Sequence, residues 1–125
     1  MEKVRLGVIG VAGRGAIAKY WAEDLRVELV AGADPNEKSR ATFLEAHPQA
    51  QAYIDYRELL ERDDLDAIAV ASPDFLHEEH AVAALEAGKD VFCEKPLAIT
   101  VEGCDRILST WKNSGKKLMV GFNMR

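Results

Sequence analysis

Cysteine is scarce in this chain, and the two cysteines present, Cys93 and Cys104, are not spaced as a Cys-x-x-Cys pair. That spacing is the usual signature of a zinc site or a dithiol redox centre. We therefore expect two reduced thiols and no disulfide. A metal pattern is lacking as well, because His77 and His80 lie three residues apart, whereas the zinc-binding His-Glu-x-x-His pattern places them four apart. We expect two solvated histidines on a helix surface and no metal site.

Long apolar runs and basic clusters are also lacking. No segment approaches the roughly 20 apolar residues that cross a bilayer, and the N-terminal residues lead into the first apolar run without the hydrophobic region of a signal peptide. We expect a cytoplasmic protein that does not enter a membrane. The formal net charge is -5 and the 16 Lys and Arg residues are scattered along the chain. This distribution argues against a nucleic-acid partner.

Apolar strand-like runs alternate with helical patterns along all 125 residues, of which 48% are hydrophobic. The runs predict six strands: Val4–Ile9, Val27–Ala33, Ala50–Ile54, Asp66–Ser72, Val91–Cys93 and Leu118–Phe122. Because strict alternation favours parallel strands joined by right-handed crossovers, the expected fold is α/β. It is a doubly wound parallel sheet, the Rossmann fold, with helices on both faces and strand order 3-2-1-4-5-6. The length fits one domain.

Helix boundaries are predicted from capping residues and apolar faces. Pro35 suits a first helical turn, Asp55 with Glu58 forms a capping box, Thr100 is an N-cap, and Gly88 and Gly115 follow helix ends. The first helix is expected from about Arg14 to Leu25. Residues expected to face inward are Ile17, Tyr20, Trp21 and Leu25 in the first helix; Ala41, Phe43 and Leu44 in the second; Ala81, Ala84 and Leu85 in the fourth; and Val101, Cys104, Ile107, Leu108 and Trp111 in the last.

A glycine cluster directly follows the first strand. Gly10 takes the first position of the dinucleotide fingerprint G-x-G-x-x-G and Gly15 takes the third, while Ala12 stands where the second glycine is expected. Gly13 lies one residue later and offers the missing clearance, and Arg14 lies beside it. A helix that starts here points its unpaired N–H groups at a ligand above the turn, as anion sites do. Taken alone, the glycine cluster also fits an ordinary tight turn between a strand and a helix.

Asp34 ends the second strand, about twenty-four residues after Gly10. From this place a carboxylate accepts both hydroxyls of an adenosine ribose and repels a 2′-phosphate, which favours NAD over NADP. NADP stays open because Ser39, Arg40 and Arg14 are near enough in sequence to bind a phosphate. The competing interpretation of Asp34 is an N-cap of the next helix.

Two further motifs carry a resemblance to a known family. The segment Ser72-Pro73-Asp74-Phe75-Leu76-His77 is followed by Ala87-Gly88-Lys89 and by Glu94-Lys95-Pro96. These motifs, the glycine turn and the final Val120-Gly121-Phe122-Asn123-Met124-Arg125 resemble the N-terminal half of the Gfo/Idh/MocA oxidoreductases. That family includes glucose-fructose oxidoreductase and inositol dehydrogenase.

The resemblance implies roles for the residues at the strand ends. Lys95 would be the catalytic lysine beside the nicotinamide, and Glu94 would bind nearby backbone or ribose. Pro96 would fix the turn, with a cis Lys95-Pro96 bond as one alternative. The remaining implied cofactor contacts are Pro73 and Asp74 against the nicotinamide-side ribose, Ser72 beside them in sequence, and His77 from the helix N-terminus, where the helix dipole favours a neutral ring.

The resemblance also implies a second domain that carries the substrate pocket and most of the subunit interface. We therefore expect this chain to be the dinucleotide-binding domain alone, to bind NAD and to turn over poorly or not at all. Apolar surface around Phe122 and Met124 would then promote self-association. The alternatives are an NAD-dependent glycosidase of the same family, a non-catalytic dinucleotide-binding module and an adenosylmethionine-dependent methyltransferase.

Overall fold

A computed structural model of the chain describes residues 3–12 and 23–121. Within them six strands form one parallel sheet in the order β3-β2-β1-β4-β5-β6. They are β1 (Val4–Ile9), β2 (Val27–Ala33), β3 (Gln51–Tyr53), β4 (Ala67–Val70), β5 (Asp90–Cys93) and β6 (Leu118–Val120). The predicted doubly wound sheet and its strand order are confirmed, and β3, β4 and β6 are shorter than predicted.

Four helices lie in the described part of the chain: α1 (Glu37–Ala46), α2 (Tyr56–Leu60), α3 (His77–Glu86) and α4 (Val101–Ser114). A 3-10 turn, Asp74–Leu76, leads into α3. Asp55 and Thr100 cap α2 and α4 as predicted, through side chains that accept backbone N–H groups. Gly88 and Gly115 have φ of 81° and 71° after α3 and α4, which also agrees with the prediction. Pro35 lies one residue before the N-cap, Asn36, and so stands outside the first turn of α1.

Several predicted helix faces are wrong. Of the first predicted helix, about Arg14 to Leu25, residues 14–22 lie outside the described residues; residues 23–25 form turns and a bend, and Leu25 is 86% exposed. In α1 only Phe43 is buried, while Ala41 and Leu44 are exposed. In α4 the stripe of Val101, Cys104, Leu108 and Trp111 stays partly or largely exposed and Ile107 alone is buried. The reason is that α4 packs chiefly against α3, so a narrow face suffices to bury its contacts.

The core has two parts, one on each face of the sheet. Successive residues of a strand point to opposite faces, so Ile9 and Val70 join one cluster while Val8 and Ala69 join the other. Leu59, Ala81, Ala84, Leu85 and Ile107 from α2, α3 and α4 pack on the first cluster, and Phe43 from α1 packs on the second. Helices therefore cover both faces. None of the helices within residues 3–12 and 23–121 has the length and apolar character of a membrane span.

Candidate functional site

The strands end in register, and this alignment builds the site. The last residues of β3, β2, β1, β4, β5 and β6 form one row of paired positions: Tyr53, Ala33, Ile9, Val70, Cys93 and Val120. Neighbouring strands lie about 4.8 Å apart. Asp34 therefore follows the row about 5 Å to one side of Gly10, and Glu94 follows it about 10 Å to the other side. The predicted contacts from four segments of the sequence thus meet along one edge.

The turn after β1 needs glycine at its first position. Gly10 has φ of +86°, and a Cβ atom there would lie 2.6 Å from both the Cα and the N of Ser72. The backbone after β1 therefore packs directly on the backbone after β4. Ala12 is exposed and lines the crevice above the turn. The predicted contacts Gly13, Arg14 and Gly15 lie outside the described residues.

Asp34 joins the glycine turn to the start of α1. Its Oδ2 accepts the N–H of Val11 at 3.1 Å and its Oδ1 accepts the N–H of Asn36 at 2.9 Å. The N-cap of α1 is Asn36, so the competing N-cap interpretation of Asp34 is wrong. Because a carboxylate has about four acceptor positions, two of them stay available to a ligand. Arg40, considered above as a phosphate contact, donates from Nη1 to the carbonyl oxygen of Asp34 at 2.8 Å.

A crevice of about 770 Å³ runs along these strand ends, within the usual range of roughly 300–1,000 Å³ for ligand sites. Gly10 and Ala12 form its floor. Residues that follow β2 and β3 line one wall: Asp34, Pro35, Ser39, Ile54, Asp55, Tyr56 and Arg57. Residues that follow β4 line the other wall: Ala71, Ser72, Pro73, Asp74, Leu76, Glu79 and His80. The tight turn at Gly10, the carboxylate of Asp34 and the apolar side chains of Pro35, Ile54 and Leu76 fit the pyrophosphate, ribose and adenine of a dinucleotide.

The sequence did not point to the cluster formed by Ser72, His80, Tyr56 and Glu79. The Ser72 hydroxyl lies 2.7 Å from Nδ1 of His80, and the rings of His80 and Tyr56 are 4.3 Å apart between centroids. The Tyr56 hydroxyl donates to Oε2 of Glu79 at 2.7 Å. Burial lowers the pKa of His80 and keeps its ring neutral; burial, followed by the hydrogen bond to Glu79, raises the pKa of Tyr56 to about 12. These contacts link the Ser72 loop to α3 and, through Tyr56, to α2.

The prediction of two solvated histidines is wrong, because His80 is 6% exposed and His77 is 1% exposed. A helical signal was available. His77 lies four residues before Ala81, and His80 lies four residues before Ala84, which places both on the inward face already assigned to those alanines. The structure places His77 behind the crevice and not in its lining: its Nδ1 lies 2.6 Å from the carbonyl oxygen of Pro96, and its Nε2 lies 2.8 Å from that of Ser72.

The Glu94-Lys95-Pro96 turn lies beyond the Ser72 loop. Glu94 is buried, Lys95 is exposed, and the Lys95-Pro96 peptide bond is cis. Neither Glu94 nor Lys95 is among the described residues that line the crevice. The turn follows β5, which lies on the opposite side of β1 from β2 and Asp34.

Both cysteines are free thiols. Cys93, at the end of β5, is buried, and this burial raises the pKa of its thiol to about 12. In the part of the chain that the structure describes, no three His, Cys, Asp or Glu side chains come together as metal ligands would.

Comparison with known proteins gives a consistent answer. A sequence profile described as an oxidoreductase family with an NAD-binding Rossmann fold matches residues 4–122. An inositol 2-dehydrogenase of Klebsiella pneumoniae subsp. pneumoniae is 43% identical over 124 residues, which cover 91% of this chain and 36% of that protein. An inositol 2-dehydrogenase/D-chiro-inositol 3-dehydrogenase of Shouchella clausii is 41% identical, and this match covers 98% of this chain and 36% of that protein.

Among solved structures, a probable dehydrogenase from Thermotoga maritima superposes with a TM-score of 0.87 at 33% identity, over 94% of this chain and 35% of that one. The WlbA dehydrogenase of Bordetella pertussis, solved with NADH and UDP-GlcNAcA, gives a TM-score of 0.83 at 30% identity, over 96% of this chain and 37% of that one. The chain thus spans about a third of the length of the relatives that it matches.

Proposed function

Because this chain belongs to the Gfo/Idh/MocA oxidoreductase family and forms its NAD(P)-binding Rossmann domain, we propose that it is the cofactor-binding part of a longer dehydrogenase. The proposed reaction transfers a hydride between the nicotinamide and a carbon of a polyol, sugar or related compound. Relatives named inositol 2-dehydrogenase at 43% and 41% identity support a polyol as the substrate class. The part of the chain described here offers one wall for such a substrate. We therefore propose that a second domain supplies the rest.

The observation that carries the proposal is the row of strand ends, with an open glycine floor flanked by a carboxylate. Gly10 lines the crevice, and its lack of a side chain lets the turn after β1 pack on the backbone of Ser72, which holds the turn at the place where a pyrophosphate would lie. The free acceptor positions of Asp34 suit the two hydroxyls of the adenosine ribose. A 2′-phosphate there would face this negative charge, so NAD is the preferred cofactor. Pro35, Ile54 and Leu76 offer apolar contacts for the adenine.

Lys95 is the proposed catalytic residue. The bound nicotinamide supplies or accepts the hydride. In the reduction direction the Lys95 ammonium would donate its proton to the carbonyl oxygen of the substrate, and in the oxidation direction the neutral Lys95 amine would accept the proton that the hydroxyl loses. Its exposed position leaves Nζ open to a substrate. Pro73 and Asp74 line the crevice and are the proposed contacts of the nicotinamide-side ribose, and the buried Glu94 would support the turn.

Calorimetric titration of the chain with NAD, NADP and adenosylmethionine tests the cofactor assignment. NAD should bind more tightly than NADP, and adenosylmethionine should not bind. Asp34→Asn should weaken NAD binding by about tenfold, since a bidentate charged contact is lost. The control Asp63→Asn changes an exposed carboxylate before β4, at the opposite edge of the sheet, and should leave affinity unchanged. Failure of any nicotinamide nucleotide to bind at millimolar concentration would contradict the proposal.

Lys95→Ala in the full-length protein tests the catalytic assignment. Turnover of a polyol, followed by nicotinamide absorbance, should be abolished while NAD affinity is retained, because Lys95 lies outside the crevice lining. Unchanged turnover would refute the role of Lys95. Absence of turnover in the unsubstituted protein, together with intact NAD binding, would instead favour the non-catalytic dinucleotide-binding module.

We further propose that the isolated chain self-associates and resides in the cytoplasm. Phe122 and Met124, the residues first expected to promote association, lie outside the described residues. The support comes from the exposed stripe of α4, where Val101 is 74% exposed and Leu108 and Trp111 are also accessible. Sedimentation should show dimers or larger species at high concentration, and Leu108→Glu should shift them to monomers. The two free thiols are compatible with a reducing compartment, and cell fractionation tests that location.

A further inference from the structure

The ring of His77 lies between two backbone carbonyl groups. Nδ1 is 2.6 Å from the oxygen of Pro96, and Nε2 is 2.8 Å from the oxygen of Ser72. Carbonyl oxygens only accept hydrogen bonds, and a neutral imidazole has only one N–H to donate. A neutral ring would therefore press one nitrogen lone pair against a carbonyl oxygen. With His77 1% exposed, solvent does not separate them.

We propose that His77 carries a proton on both ring nitrogens and is a positioning residue that fixes the Lys95-Pro96 turn against the Ser72 loop. The inference rests on the proposed function for its catalytic meaning, because it concerns the placement of Lys95. A doubly protonated ring donates to both carbonyl groups at once. Hydrogen bonds from a charged donor are also the shorter and stronger kind, in keeping with the two distances.

This protonation state differs from the neutral ring that a helix N-terminus favours. The structure removes much of that effect, because a 3-10 turn precedes α3 and the N–H of His77 already donates to the carbonyl of Asp74. The backbone N–H groups without an intrahelical partner therefore lie about one turn before His77. On the same helix, burial lowers the pKa of His80, so the neighbouring ring stays neutral and adds no second cation.

The two carbonyl groups belong to loops that follow adjacent strands, β4 and β5. The Ser72 loop is already fixed, since its backbone packs on Gly10 and its hydroxyl pairs with His80. His77 extends this rigid support to Pro96, the residue after Lys95. Lys95 itself is exposed, so the direction of its side chain depends on how firmly the turn is held.

Long-range nitrogen-15 NMR of the histidine-labelled chain at neutral pH tests the protonation state directly. His77 should show a bonded proton on each ring nitrogen, with slow exchange because the ring is buried. His47 is the internal control: burial lowers its pKa, so its ring should show the pattern of a neutral imidazole at the same pH. A His77 ring with a proton on one nitrogen alone would overturn the proposal, and this reading does not depend on any variant folding.

The positioning role is tested with His77→Gln in the full-length protein, with His47→Gln as the control. Since a displacement of about 1 Å costs roughly 100-fold in rate, kcat should fall by about that factor. The KM for NAD should change little, because His77 lies outside the crevice lining. An unchanged kcat, or a rise in the KM for NAD equal to the loss in kcat, would overturn the role.

Failure of the proposed function has a different signature. In that case the unsubstituted chain would not bind NADH, while the NMR spectrum would still show two protons on His77. NADH binding with a singly protonated His77 would instead refute the proposed protonation state and leave the cofactor assignment intact.

Discussion

Replacing Gly10 with alanine tests whether the turn after β1 packs on the Ser72 loop as described. A left-handed conformation costs a residue with a Cβ atom about 1–2 kcal/mol, and alanine recovers about 0.4–1 kcal/mol by restricting the unfolded chain. At Gly10 the new methyl group would also lie 2.6 Å from Ser72 Cα and N and 2.8 Å from the Ala71 carbonyl carbon. Overpacking against such atoms costs about 1–3 kcal/mol. The expected loss in the free energy of unfolding is about 2–4 kcal/mol.

Gly88→Ala is the matched control, since Gly88 has nearly the same φ, +81°, with no atom within 4 Å of its added Cβ. It should lose only about 1 kcal/mol, which is the conformational part of the cost. Urea unfolding followed by far-ultraviolet circular dichroism measures both variants. The two midpoints should differ by about 1 M, given the usual urea dependence of a domain this size. NADH titration of the folded variants should show weaker binding for Gly10→Ala alone.

Equal losses for the two variants would refute the reasoning, because the contact between the turn and Ser72 would then contribute nothing. A large loss for Gly10→Ala with unchanged NADH affinity would separate the two claims. That result would support the packing of the turn on Ser72 and would show that cofactor binding does not depend on a glycine at position 10.

Three further predictions follow from single contacts. Burial lowers the pKa of His80 in the folded chain, so as the pH falls below about 6.5 the unfolded chain takes up this proton before the folded chain does. The free energy of unfolding should therefore fall on acidification, by at most about 1.4 kcal/mol per pH unit. Urea unfolding of His80→Gln should show a flatter pH dependence, and parallel curves for the two proteins would contradict this. Cys93, with a pKa of about 12, should alkylate far more slowly than Cys104 in the native chain and equally fast in urea, as mass spectrometry would show. Thr100→Ala removes the N-cap of α4 and should cost about 1 kcal/mol in thermal or urea unfolding, whereas Thr110→Ala within the same helix should cost nothing or stabilise.

The architecture followed from local signals because those signals do not depend on long-range packing. Alternating strand and helix patterns leave few topologies for a parallel sheet, and all six strands formed in the predicted order. Caps such as Asp55 and Thr100 act within a few residues of themselves, so the sequence alone identifies them. The same holds for the glycines after α3 and α4, whose left-handed conformation needs no distant partner.

The parts that sequence reasoning missed depend on contacts between distant segments. His77 and His80 were expected in solvent because polar side chains usually are. Their carbonyl and hydroxyl partners come from the loops after β4 and β5. The exposed stripe of α4 was expected to be buried because its apolar residues have helical spacing. This periodicity identifies a helix face but does not show how much of that face the neighbouring elements cover. The hydrogen bonds by which Asp34 links Val11 and Asn36 could not be predicted from the sequence, because they depend on the path of two loops.

The packing of Ser72 limits how this domain can be re-engineered. The backbone of Ser72 touches the glycine turn, its carbonyl holds His77 and its hydroxyl holds His80. Any change that shifts this peptide unit would move the floor of the crevice, its wall and the Lys95 turn together. A designer who wishes to switch cofactor preference should therefore leave this junction alone and alter the rim at Ser39, or replace Asp34 with a side chain that can still accept the N–H groups of Val11 and Asn36.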